Sequence, residues 1–198
     1  QFYQEVRVDP EKLAQLKRIH LQQRELRKKF VGKEEVEFPA KFFFLPFQVH
    51  TDTQVLLNSP HISNMYDLVD TVYSSLERFN DQYEADYWLV VKEHPSDFGR
   101  INYENLKEKY RQKKVIFTTT VPSSKLIELS KAVVTINSTV GLEALIKGKP
   151  VITLGEAFYN VDGVVHHCDD LSRLHELMSQ AVSCKFNVEL VDKLLYFL

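Results

Sequence analysis

Residues 132–155 read AVVTINSTVGLEALIKGKPVITLG in one-letter form, a strand, a helix and a strand in immediate succession. Ala132 to Ile136 is a short continuous run of apolar and β-branched residues, the pattern of a strand covered on both faces. Thr139 to Lys147 reads as a helix, and Gly148 closes it, because glycine accepts the backbone conformation that ends a helix. Val151 to Leu154 is a second buried strand. Two strands joined by a helix run parallel, since only a crossover brings the chain back to the same end of the sheet.

The pattern extends in both directions. Phe42 to Leu45, Tyr87 to Val91 and Val115 to Phe117 read as further buried strands. Met65, Leu68, Val69, Val72, Leu76 and Phe79 fall at helical spacing behind Asn64, a suitable cap. A polar helix is expected over 103–112, a short one over 122–129, and two more over 171–182 and 188–197. The expected fold class is α/β, a Rossmann-like parallel sheet with helices on both faces. Residues 9–30 read as a surface helix capped by Asp9 and opened by Pro10, with basic Lys17, Arg18, Arg24, Arg27, Lys28 and Lys29. Its basic face suits plain solvation or a polyanion or membrane contact. The expected organisation is an amino-terminal helix and connector over 1–40 and a Rossmann-like domain over 41–198.

Composition narrows the function classes. The 198 residues are 44% hydrophobic and 26% charged with a formal charge of −2, the make-up of a globular domain rather than a general nucleic-acid binder. No apolar run approaches the roughly 20 residues of a membrane span, and no signal-peptide pattern opens the chain. Cys168 and Cys184 are the only cysteines, so a cysteine-rich metal site is excluded and a reducing cytoplasm fits best. The chain opens at Gln1 and ends in the apolar run Leu194 to Leu198. Both ends read as cut, and a longer parent protein is expected.

Parallel sheets bind ligands beyond the carboxyl ends of their strands, so the loops there hold the candidate residues. The strand at 132–136 runs through Asn137, Ser138, Thr139, Gly141 and Glu143 into its helix. Ser138 and Thr139 sit where free N–H groups and the positive helix end meet, which suits a phosphate; Gly141 would let the backbone come close. A plain helix cap is the alternative for the hydroxyls. Neither a GxGxxG fingerprint nor a Walker loop is present. Lys92 and His94, held by Pro95, end another strand, where the imidazole can donate to a phosphate or act on a leaving group. Gly155, Phe158 and Tyr159 follow the strand at 151–154, the aromatic pair either covering a base or sugar or packing its own loop. Asp52 lies in the polar loop after the first strand, as a turn residue or as a carboxylate aimed at a sugar carbon. His166 to Asp170 offers side chains adjacent in sequence rather than spaced to converge, so no metal site is expected, and Asp169 or Asp170 should cap the next helix.

Taken together, these stretches resemble the capsule polysaccharide biosynthesis proteins, the bacterial β-Kdo transferases. The resemblance rests on Thr135 to Ala144, Gly148 to Gly155 with Phe158 and Tyr159, Lys92–Glu93–His94–Pro95, and Gln48–Val49–His50–Thr51–Asp52. It runs from about Phe42 to Ser183. It implies one half of a GT-B glycosyltransferase using CMP-Kdo as donor substrate, with no cofactor. It further implies that His94, Ser138 and Thr139 face the CMP phosphate and that Glu143 reaches the cytidine or ribose. By the same resemblance Asp52 is the catalytic carboxylate of a retaining double displacement. The implied partners are a CMP-activated acidic sugar, a glycolipid or oligosaccharide acceptor, and an amino-terminal acceptor domain of the parent chain. Work at the inner face of the membrane follows from such an acceptor. A non-catalytic nucleotide-binding or scaffolding module, and a GT-B-like sugar-nucleotide epimerase, are the alternatives.

Overall fold

Strand β1 (Phe42–Pro46) sorts the core into two layers by its pleat: Phe43 and Leu45 join one apolar cluster, Phe42 and Phe44 the other. The computed structural model describes residues 37–49, 62–97, 100–184 and 186–197. The helix expected over 9–30, most of its connector and the loop with Asp52 lie outside these residues.

The other strands are β2 (Trp88–Lys92), β3 (Val115–Thr118), β4 (Ala132–Thr135), β5 (Val151–Thr153) and β6 (His166–His167). All pair in parallel, in the order β3-β2-β1-β4-β5-β6. This is the Rossmann strand order. Helices α1 (Met65–Gln82), α2 (Glu104–Lys109) and α5 (Leu174–Ser183) contribute to the Phe43 layer. Helices α3 (Ser123–Leu129), α4 (Thr139–Ile146) and α6 (Val188–Phe197) contribute to the Phe42 layer. The sheet is thus covered on both faces, and its central strands have no solvated side.

The expected elements are present with small shifts. Asn64 caps α1, its side-chain oxygen accepting from the Asp67 N–H at 2.9 Å, and the six apolar residues read at helical spacing are all buried. The polar helix is shorter than expected and spans Glu104–Lys109. The segment read as one helix from Leu171 opens as a 3₁₀ turn (Leu171–Arg173) capped by Asp170, whose carboxylate accepts from the Ser172 N–H at 2.9 Å. Gly148 follows α4 with φ +69°, the left-handed region where side chains are strained. Strand β6 was not foreseen, because two histidines carry no apolar pattern. Among the described residues, no helix is long and apolar enough to cross a membrane.

The chain turns back in the sheet between β1 and β4: β2 and β3 lie to one side, β5 and β6 to the other. Such a switch point leaves a crevice above the strands' carboxyl ends. Residues leaving β1, β2, β4 and β5 therefore share one edge.

On the edge strand β6 stands His166, half-buried, whose pKa burial pushes below its usual 6.5. The fold favours the neutral ring, so the unfolded chain binds the proton first as pH falls. Its contribution is complete above about pH 6.5 and is lost as pH drops towards the depressed folded value. Thermal midpoints should fall between about pH 7 and pH 5, and less steeply for His166→Gln. An unchanged slope in that variant would assign the acid sensitivity elsewhere.

Candidate functional site at the switch point

Where β4 ends, each backbone donor needs a partner, and tracing those partners defines the site. The Asn137 N–H donates to Gln48 Oε1 at 3.2 Å, and the Ser138 N–H to Thr135 Oγ1 at 3.3 Å. Ser138 is the N-cap of α4, its hydroxyl oxygen accepting from the Val140 N–H at 3.2 Å. The Gly141 N–H donates to the Ser138 carbonyl at 2.9 Å. The next donor in this turn, the Thr139 N–H, has no acceptor among the described residues. Thr139 is exposed and carries a hydroxyl of its own. The Ser138 hydroxyl uses a lone pair as cap and keeps its proton to donate. These donors gather at the positive end of α4, where backbone dipole and N–H groups favour negative charge. The cap and phosphate readings of Ser138 are therefore compatible.

Several residues read as ligand contacts have structural work instead. Tyr159 is fully buried, so its ring covers no base or sugar. Its hydroxyl donates to the Ser138 carbonyl at 2.5 Å, and burial raises its pKa well above the usual tyrosine value. Gly141 is buried as well; a Cβ there would overlap the Tyr159 hydroxyl and lie 2.9 Å from Cζ. The missing side chain makes room for Tyr159, not for a ligand. The Asn137 side chain accepts from Gln48 Nε2 at 2.8 Å and donates to the Glu156 carbonyl at 3.4 Å, which makes it a strut. Gly155 is buried, its N–H bonded to the Ile136 carbonyl and its carbonyl to Asn160 Nδ2. Phe158 is 62% exposed and packs edge-on against Tyr159 at 5.1 Å, so of the aromatic pair it has the accessible ring. Glu143 is exposed on α4.

The turn after β2 is equally well built. Lys92 ends the strand, in register with Pro46 and Thr118. His94 is half-buried and its Nδ1 accepts from the Ser96 N–H at 3.1 Å, which puts the proton of a neutral ring on Nε2. Its carbonyl accepts from the Asp97 N–H at 3.0 Å. Asp97 is 2% exposed and accepts from the Tyr103 hydroxyl at 3.1 Å. The Tyr103 ring packs edge-on against Phe47 at 5.0 Å, and the Phe47 N–H donates to the Lys92 carbonyl at 2.8 Å. The exits of β1 and β2 are thereby locked together. Asp97, Tyr103 and the role of Gln48 escaped the sequence reading. Their one signal is an aspartate three residues after His94 in a proline turn.

Comparison with known proteins places this geometry in a lineage. The sequence model of the capsule polysaccharide biosynthesis proteins matches residues 4–182. Protein FixF of Sinorhizobium fredii is 38% identical over 144 residues, covering 73% of this chain and 34% of that protein. The capsule polysaccharide export protein KpsS of Escherichia coli is 30% identical over 135 residues, 66% of this chain and 34% of that protein. Among solved structures, the β-Kdo 2,7 transferase KpsC of Thermosulfurimonas dismutans matches with TM-score 0.52 and 23% identity, over 88% of this chain and 53% of that one. A UDP-GlcNAc 2-epimerase of Methanocaldococcus jannaschii matches with TM-score 0.54 and 17% identity, over 88% of this chain and 48% of that one. At these identities the structural likeness establishes the fold, one Rossmann-like half of a GT-B-like architecture. The chain spans about a third of the curated relatives' length and about half of the solved structures'.

The Gly141–Tyr159 contact yields a direct test. Gly141→Ala should destabilise the chain by roughly 1–3 kcal/mol through overpacking. Adding Tyr159→Phe, which removes the overlapped oxygen, should recover part of that loss. Urea denaturation of the two variants checks both, and an unperturbed Gly141→Ala midpoint would show the contact to be unimportant.

Proposed function

The chain belongs to the capsule polysaccharide biosynthesis protein family, and from that premise we propose that it is the nucleotide-sugar half of a glycosyltransferase that uses CMP-Kdo as donor. The observation that carries the reading is the Thr139 N–H, an open donor at the head of α4 beside two hydroxyls. In this reading the CMP phosphate sits on Thr139 and Ser138, and the His94 Nε2–H donates to it from the β2 turn. Fixed dipoles and hydrogen bonds disperse the charge that grows on the phosphate as the sugar departs. The helix end and side-chain donors carry that charge, so the reading calls for no metal or other cofactor. Lys92, Glu143 and the exposed Phe158 ring are assigned to the sugar, ribose or base.

Asp52 is the proposed nucleophile. Its carboxylate oxygen forms a bond to the anomeric carbon while the bond from that carbon to the CMP phosphate oxygen breaks, and CMP leaves with the electron pair. The acceptor hydroxyl then attacks the glycosyl-enzyme, its proton passing to a base, and the carboxylate is released with overall retention. A glycolipid or oligosaccharide acceptor is assigned to an amino-terminal domain of a longer chain, working in the cytoplasm at the inner face of the membrane.

Thr139 offers a clean experiment because it is the first residue of α4. Proline is favoured at that position, and Ser138 already has the extended backbone (φ −67°, ψ 146°) that proline requires of its neighbour. Thr139→Pro should therefore leave the thermal midpoint unchanged or raised while weakening CMP binding about tenfold or more, by loss of a charge-assisted bond. Thr139→Val, which deletes the hydroxyl alone, separates the two donors, and His94→Ala should weaken binding comparably. Calorimetric titration with CMP and UDP is the measurement. No CMP binding to the folded chain would sink the proposal, and a preference for UDP would favour the epimerase alternative. Wild-type transfer by Asp52→Ala in the parent would favour a non-catalytic module.

A further inference from the structure

Gln48 is a polar side chain only 5% exposed, and both ends of its amide engage one residue 89 positions away. Oε1 accepts the Asn137 N–H at 3.2 Å, and Nε2 donates to Asn137 Oδ1 at 2.8 Å. This reciprocal pattern needs a donor and an acceptor on adjacent atoms, which a primary amide supplies and a carboxylate does not. The bridge spans the switch point, where β1 and β4 are neighbouring strands and leave the sheet side by side. Asn137 Nδ2 continues it to the Glu156 carbonyl after β5, at 3.4 Å. Three strand exits are thus tied in a row beneath the candidate anion site.

We propose that Gln48 is a positioning residue for donor binding: it clamps Asn137 so that the following turn presents the Thr139 N–H and the Ser138 hydroxyl to the phosphate. The inference rests on the nucleotide-sugar reading above and assigns a residue that reading leaves without a role. Two consequences follow from the geometry. The Asn137 N–H, which stands first in the turn, is withdrawn from any anion, so the phosphate is offered the donors one residue further on. Residue 137 also loses its rotational freedom, which sets the direction in which Ser138 and Thr139 leave the strand. Without the clamp the Asn137 N–H loses its Gln48 acceptor, and the turn has more than one arrangement to choose from. Binding then selects one arrangement from several, and affinity falls by the fraction that is competent.

The test is a double-mutant cycle read in CMP affinity on the folded chain. Gln48→Met keeps length and apolar volume and removes both bonds; Asn137→Ala removes the side-chain half of the bridge. We expect Gln48→Met to weaken CMP binding about tenfold, Asn137→Ala about threefold, and the double variant no more than Gln48→Met alone. A merely structural role would lower the unfolding midpoint while leaving the affinity of folded protein within twofold, and that result overturns the clamp with the nucleotide-sugar reading intact. Strictly additive losses also overturn it. A wild-type chain that binds no CMP overturns the clamp together with the reading it rests on, an outcome distinct from the others. Should Gln48→Met fail to fold, Asn137→Ala with wild-type affinity is by itself sufficient to reject the proposal.

Discussion

A chain that leaves a buried strand and enters a helix must find partners for several N–H groups that neither element supplies. At the end of β4 this requirement is met by four different acceptors: the Gln48 amide, the Thr135 hydroxyl, the Ser138 hydroxyl and the Ser138 carbonyl. Each closes one donor, and the Thr139 N–H has no acceptor among the described residues. That donor coincides with the positive end of α4, the feature on which the proposed phosphate contact rests. Gly141, Tyr159, Gln48 and Asn137 all serve that turn from behind or below.

The supporting residues come from distant parts of the chain. Tyr159 reaches the Ser138 carbonyl from beyond β5, and Gln48 reaches Asn137 from beyond β1. The neighbouring turn at His94 is held in a similar way, through Asp97, Tyr103 and Phe47. Both turns are thus held by contacts from outside their own loops. Preorganisation of this kind is what a site for a charged leaving group requires, because donors already in place need no reorganisation when charge develops.

The motifs at Lys92–Pro95 and Asn137–Glu143 were legible because they follow strands, and a strand's carboxyl end in a parallel sheet is a ligand edge whatever the residues. What could not be read was which member of each motif faces outward. Tyr159 and Gly141 looked like ligand contacts because aromatic and small residues serve ligands and cores alike. Their pairing in space made them a packed unit. Asn137 stands among the candidate binding residues, and its amide joins Gln48 and the Glu156 carbonyl.

Local chemistry in the chain was enough to set the α/β class, the positions of β1 to β5, the cap at Asn64 and the helix stop at Gly148. Those features depend on runs of apolar residues, on a side-chain oxygen near its own backbone and on a single glycine's freedom, all short-range properties. Strand order, the two-residue strand β6 and the choice of Thr139 as the open donor were decided only by the tertiary structure. They depend on which acceptors arrive from far along the chain, and a buried hydrogen bond between residues 48 and 137 has no local signature.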